Sequence, residues 1–132
     1  MHTVIVVDDN PDITDVVKTA LETQGHSVIC AHSGPELFRQ LEGLKPDLIF
    51  LDIMMPKMDG FEVLKRLREN PSTSDIPVIF LTAKSQYEDI LTGYKEGADY
   101  YIPKPFVSAQ LIAAMDLVLE WAKSSASSKK PL

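Results

Sequence analysis

Five side chains suited to phosphate and metal chemistry follow apolar runs of the sequence. Asp8 and Asp9 follow Val4–Val7, Asp52 follows Leu51, Thr82 follows Leu81, and Lys104 comes just after Ile102. Carboxylates gathered in one shallow pocket repel each other and raise each other's pKa values. A divalent cation and a lysine are the two simplest remedies. Mg2+ is hard, prefers oxygen ligands and is often held by one or two carboxylates with phosphate oxygens and water. The Lys104 ammonium can pair with a carboxylate or a phosphate oxygen, and Thr82 adds a small hydroxyl donor. The set fits phosphoryl transfer onto an aspartate. That reaction needs a carboxylate nucleophile, a metal bridging carboxylate and phosphoryl oxygens, and donors for the remaining oxygens. Asp52, on a central strand, is the best nucleophile, and the adjacent Asp8 and Asp9 are the better metal ligands.

The elements that must bring these residues together are legible as five β-rich runs alternating with five helical patterns. The runs are Thr3–Val7, Ser27–Ala31, Asp47–Leu51, Pro77–Leu81 and Asp99–Ile102. Most are apolar with little alternation, as strands covered on both faces are. In the first helix Ile13, Val16, Val17, Ala20 and Leu21 form one apolar stripe. Asn10-Pro11 is its expected start and Gly25 its stop. Ser33-Gly34-Pro35-Glu36 reads as a capping box before Leu37, Phe38, Leu41 and Leu44. The third helix begins at Asp59-Gly60 and presents Val63, Leu64 and Leu67. The fourth begins at Ser85-Gln86-Tyr87-Glu88, presents Tyr87, Ile90, Leu91 and Tyr94, and ends near Gly97. The fifth runs from Ser108 to Lys123. Strict βαβ alternation predicts a parallel sheet with helices on both faces, and its site lies at the carboxyl ends of the strands.

Four blocks now carry a resemblance. Leu51-Asp52-Ile53-Met54-Met55-Pro56-Lys57-Met58-Asp59-Gly60 resembles the phosphoacceptor motif of two-component response-regulator receiver domains. Val7-Asp8-Asp9-Asn10 resembles that family's acidic pair, Leu81-Thr82-Ala83 its threonine motif and Lys104-Pro105-Phe106 its lysine motif. They stand in the family's order and spacing, over about residues 3–122. The resemblance implies a flavodoxin-like α/β fold, a doubly wound (βα)5 parallel sheet in the order 2-1-3-4-5. It implies that Asp52 accepts a phosphoryl group from a phosphohistidine on a histidine kinase or a histidine phosphotransfer protein. Asp9, Asp52 and the backbone carbonyl of Met54 would hold Mg2+ directly, with Asp8 helping through water. Thr82 would move onto the phosphoryl group, Lys104 would pair with another of its oxygens, and Tyr101 would swing inward as the switch aromatic. A cis bond at Lys104-Pro105 is expected on the same ground. The switched surface would be helix four, strand five and helix five.

Met54 and Lys84 occupy positions that tune phosphoryl lifetime in the family. An apolar Met54 offers no means of orienting water, and Lys84 adds a cation, so slow self-dephosphorylation is expected. In Leu111–Ala122 only Asp116 and Glu120 are polar. Leu111, Met115, Val118, Leu119 and Ala122 can face the sheet, which leaves Ile112, Leu117 and Trp121 in search of a second surface. A homodimer, a kinase or another domain is the expected partner there, unless Trp121 folds over the domain's own edge. Ala114 and Asp116 replace the basic residues of the family's salt-bridged dimers. His2, His26 and His32 form no ligand spacing and are expected on the surface or in loops, and Cys30 is expected to be a buried small hydrophobe.

The chain's 132 residues suit one domain, expected at 1–123, with a Ser/Lys/Pro-rich disordered tail or linker expected at 124–132. No apolar stretch suits a membrane span and no secretory signal is evident. One cysteine fits a reducing compartment, so a cytoplasmic protein is expected. With 13 basic and 19 acidic residues the net charge is -6, which argues against direct nucleic-acid or membrane binding by this domain. A phosphatase of the dehalogenase type needs a second aspartate two residues after its nucleophile, and here Asn10 follows Asp8 and Pro11 follows Asp9. Turnover of a phosphate ester would revive that alternative. A receiver-like interaction module acting without phosphorylation is the other, though such modules tend to lose the acceptor or the acidic pair. No Gly-x-Gly-x-x-Gly follows the first run, so a dinucleotide site is not expected.

Overall fold

The computed structural model of the chain describes residues 1–83 and 87–124. Lys84, the expected Ser85-Gln86 start of the fourth helix, the side chains of Tyr87, Glu88 and Asp89 and the tail from 125 onward lie outside the described residues. The elements run β1 (Thr3–Val7), α1 (Pro11–Thr23), β2 (Ser27–Ala31), α2 (Gly34–Leu41), β3 (Leu48–Leu51), α3 (Gly60–Glu69), β4 (Val78–Thr82), α4 (Tyr87–Lys95), β5 (Tyr100–Pro103) and α5 (Ser108–Ser124). The sheet is parallel throughout, in the order β2-β1-β3-β4-β5. This is the flavodoxin-like topology expected. β3, β4 and β5 each begin one residue later than the sequence runs, and β4 and β5 extend through Thr82 and Pro103.

The uniform apolarity of the strands has a direct cause. Ile5, Val7, Ile49, Leu51, Val78 and Phe80 point to one face, where they meet Leu37 of α2 and Val63, Leu64 and Leu67 of α3. Val4, Val6, Leu48, Phe50, Ile79, Leu81 and Ile102 point to the other, against Val17 and Leu21 of α1 and Leu111, Ala114, Met115 and Val118 of α5. Alternate residues are therefore both buried, and burying each such side chain stabilises the fold by about 1.5–3 kcal/mol.

Helix starts follow the capping chemistry. Asn10 accepts from Asp12 N–H ahead of α1, and Gly25 takes a φ of 90° just past its end. Ser33 accepts from Glu36 N–H and Asp59 from Glu62 N–H. Glu36, however, does not close the box on Ser33: its Oε1 accepts from His32 N–H at 2.7 Å.

Two helix faces differ from the sequence expectation. On α1, Val16 is 51% exposed while Thr14 is buried. The buried stripe is turned by one side chain, and the Thr14 hydroxyl finds partners in Pro11 O and the His32 ring. On α5, Ala114 rather than Ala122 faces the sheet. Ile112 and Trp121 are half-buried against the domain's own core. Trp121 meets Tyr100 edge-on at 6.3 Å, because the start of the edge strand offers it an aromatic surface. Of the three residues expected to lack a home, Leu117 alone is exposed, at 41%.

The histidines are more engaged than expected. His2 and His26 stack at 5.6 Å, and His2 N–H donates to His26 Nδ1 at 3.1 Å. Burial, then His2 and the N-terminal amine, lower the His26 pKa, with Asp116 opposing. Cys30 is only partly buried, with Sγ 3.8 Å from Thr14 O. Arg68 braces the corner before β5. It donates to Gly97 O at 2.8 Å and Ile76 O at 2.8 Å and pairs with Asp99 at 3.3 Å.

Candidate functional site

The register of the sheet decides what meets at its carboxyl edge. Val7 pairs with Leu51, so Asp8 and Asp52 leave adjacent strands side by side. Asp8 N–H donates to Ala31 O at 3.1 Å and Asp52 N–H to Val7 O at 2.9 Å, which extends the ladder to these two aspartates. Leu81 pairs with Ile102 on the other side, and Lys104 N–H donates to Thr82 O at 2.8 Å. The Lys104-Pro105 peptide is cis, as expected.

The side chains converge. Lys104 Nζ donates to Asp8 Oδ2 at 2.7 Å and lies 3.6 Å from Asp52 Oδ1. Asp8, Asp9 and Asp52 each offer an oxygen within 4.8 Å of the others. Asp8 and Asp52 are buried while Asp9 is exposed. Asp8 also accepts from Asn10 N–H at 2.9 Å, and Asp52 from Met54 N–H at 3.3 Å. Burial, with the Asp8 charge adding to it, pushes the Asp52 carboxyl up to about 6; Lys104 and the Met54 N–H pull it back, and Asp9 adds a smaller push.

The donor set suits a divalent cation. Three carboxylates against one ammonium leave two formal negative charges, and the ligands are all oxygens, as a hard cation requires. Thr82 is fully buried at the end of β4. Tyr101 is half-buried on β5 beside Phe80, packed against the core on the α2 and α3 side. The Met54 side chain is 54% exposed, two residues after Asp52. Ile112, Leu117 and Trp121 lie on α5, apart from these groups in the sequence and on another layer.

The loop carrying Asp52 is held from below by α3. A Cβ on Gly60 would sit 2.5 Å from Asp52 O and 2.6 Å from Ile53 Cα, so a side chain there must displace backbone. Gly60 N–H also donates to Ile53 O at 2.8 Å. Gly60→Ala is expected to cost about 1–3 kcal/mol, read from the urea midpoint, and to slow any chemistry at Asp52. Lys57 in the same loop has a φ of 68°, the left-handed region, which costs an L-residue about 1–2 kcal/mol.

Comparison with known proteins places the chain in a family. Residues 4–116 match the family described as the response regulator receiver domain. The chain belongs to that family, a signalling domain of two-component systems. It is 42% identical over 119 residues to the DNA-binding dual master transcriptional regulator RpaA of Synechocystis sp., covering 90% of this chain and 49% of that protein. It is 43% identical over 114 residues to the transcriptional regulatory protein TrcR of Mycobacterium tuberculosis, covering 85% of this chain and 43% of that one. The chain thus spans about half the length of these relatives or less. Among solved structures, the chemotaxis protein CheY4 of Vibrio cholerae superposes with a TM-score of 0.85 at 30% identity, covering 89% of this chain and 98% of that one. The receiver domain of a signal transduction histidine kinase from Syntrophus aciditrophicus gives 0.85 at 31% identity, with both chains fully covered, 100% each. Among the described residues, no helix is long and apolar enough to cross a membrane.

Proposed function

We propose that Asp52 is the phosphoacceptor of this receiver, loaded from a phosphohistidine on a sensor histidine kinase or a histidine phosphotransfer protein. The observation that carries this is the convergence of Asp8, Asp9 and Asp52 on one edge, with Lys104 bridging the two buried carboxylates. An Asp52 carboxylate oxygen forms the new P–O bond. The P–N bond to the donor imidazole breaks, and the released nitrogen takes a proton. Asp9, Asp52 and the Met54 carbonyl would hold Mg2+, with Asp8 assisting. When bound, the cation neutralises charge on carboxylate and phosphoryl oxygens. Lys104 and Thr82 donate to the remaining phosphoryl oxygens.

The new group adds about two negative charges and three strong acceptors. Thr82 and Lys104 stand on different loops, so satisfying those acceptors draws the loops together. Tyr101 follows Thr82 inward and the surface of α4, β5 and α5 changes. Met54 and Lys84 set the phosphoryl lifetime, which is long. The receiver occupies residues 1–123 and the remainder is a tail or linker. The compartment is the cytoplasm. Leu117, beside Ile112 and Trp121, marks the part of α5 open to a homodimer or a second domain. RpaA is described as DNA-binding, and in this reading such binding would reside in a separate output segment, not in this acidic domain.

The test is intact mass after incubation with a small acyl-phosphate donor. A gain of one phosphoryl group is expected, dependent on Mg2+ and absent in Asp52→Asn. A gain that persists in Asp52→Asn would overturn the assignment. A module acting without phosphorylation is disfavoured by the presence of the whole acidic set and its lysine.

A further inference from the structure

We infer that His32 is a positioning residue for the acidic pair, acting on Asp9 through Thr14 and Pro11; the inference rests on the cation site proposed above. The exit of β2 grips the segment from Asp8 to Pro11 at both ends. At its start, Asp8 N–H donates to Ala31 O at 3.1 Å. At its finish, Thr14 Oγ1 lies 3.0 Å from Pro11 O and 3.1 Å from His32 Nε2. A hydroxyl has one proton to give. Both contacts are hydrogen bonds together when Thr14 donates to Pro11 O and His32 Nε2–H donates to Thr14.

His32 is itself fixed. Its backbone N–H donates to Glu36 Oε1 at 2.7 Å, and its ring Nδ1 stands 3.8 Å from the same oxygen. Glu36 is held by its own N–H on Ser33 Oγ at 3.1 Å. The first turn of α2 thus holds the backbone from which the ring reaches the first turn of α1. Thr14 is fully buried, and losing the ring removes one of the two partners of its hydroxyl. Asp9 is the exposed member of the acidic set. Its place depends on the backbone on either side, and His32 secures the far side. Residues that orient metal ligands from behind commonly change metal affinity by about 10–100-fold when removed.

The test is calorimetric Mg2+ titration of the whole chain, with urea unfolding in EDTA alongside. His32→Ala and Thr14→Val are each expected to weaken Mg2+ binding by about threefold or more. The double variant is expected to bind no more weakly than either single one, because both act through one strap. His32→Gln, which keeps a donor, is expected to recover most of the affinity. A general loss of stability lowers the urea midpoint without this pattern in Mg2+ affinity. Wild-type affinity in His32→Ala, or additive losses in the double variant, would overturn the inference. If the wild-type chain and Asp9→Asn both fail to take up Mg2+, the cation site itself is wrong, and the strap falls with it.

Discussion

Lys104→Met is expected to destabilise the chain by about 3 kcal/mol at pH 8 in EDTA, measured from urea midpoints. The ammonium stands 2.7 Å from Asp8 Oδ2 and 3.6 Å from Asp52 Oδ1, and both carboxylates are buried. Methionine keeps the length of the stem but removes the charge. Two like charges then share a poorly hydrated edge with Asp9 beside them, and removing one partner of a buried pair commonly costs about 3–5 kcal/mol. The same change is expected to tighten Mg2+ binding, because the cation no longer competes with an ammonium for the carboxylates, and to slow phosphoryl uptake, because one donor to the phosphoryl group is gone. Stability and metal affinity therefore move in opposite directions. A midpoint unchanged within about 0.5 kcal/mol would mean that Lys104 is solvated rather than a counterion to the buried pair.

The five candidate side chains were legible because each interrupts or follows an apolar run, and strand ends in a parallel sheet converge. The strands were legible for a related reason. Burial on both faces removes the alternation, leaving short runs such as Leu48–Leu51 that only a covered sheet explains. What the sequence did not disclose depends on partners distant along the chain. Thr14 is polar and Val16 apolar, yet Thr14 is buried, because a loop 18 residues on supplies the His32 ring. Helical periodicity cannot see that donor. Arg68 stands in the last turn of α3. Its guanidinium turns onto Gly97 O and Asp99, 29 and 31 residues away. Burial lowers its pKa, with Asp99 opposing. Trp121 was the ambiguous case: an apolar-all-round helix fits either a partner or the chain's own edge, and the choice depended on Tyr100 standing at the start of the edge strand. The carboxylate edge is thus local in sequence, whereas its supports are long-range.

Asp52→Asn is expected to do the reverse of Lys104→Met and make the chain more stable, by about 3 kcal/mol at pH 8 in EDTA. The folded carboxyl titrates at about 6 against an ordinary value of 3.8, chiefly because burial disfavours its charged form and Asp8 repels it. The sign follows from proton counting. Between pH 3.8 and about 6 the folded chain holds a proton that the unfolded chain has released, so raising the pH through this window costs the folded state stability. Above it the full cost of an ionised, buried Asp52 is present; below it both states are neutral and the cost vanishes. Asparagine has nothing to ionise. The gain in Asp52→Asn should therefore be largest at pH 8, shrink through pH 6 to a small remainder at pH 4 and vanish below the ordinary value of 3.8, as read from urea midpoints. Mg2+ at pH 8 should close the gap from the wild-type side, since a cation among three carboxylates offsets the repulsion that asparagine removes. A gain that stayed constant from pH 4 to pH 8 would instead trace to packing or hydrogen bonding of the amide. Stability would then not be what this edge gives up to keep an ionised nucleophile ready for a phosphoryl group.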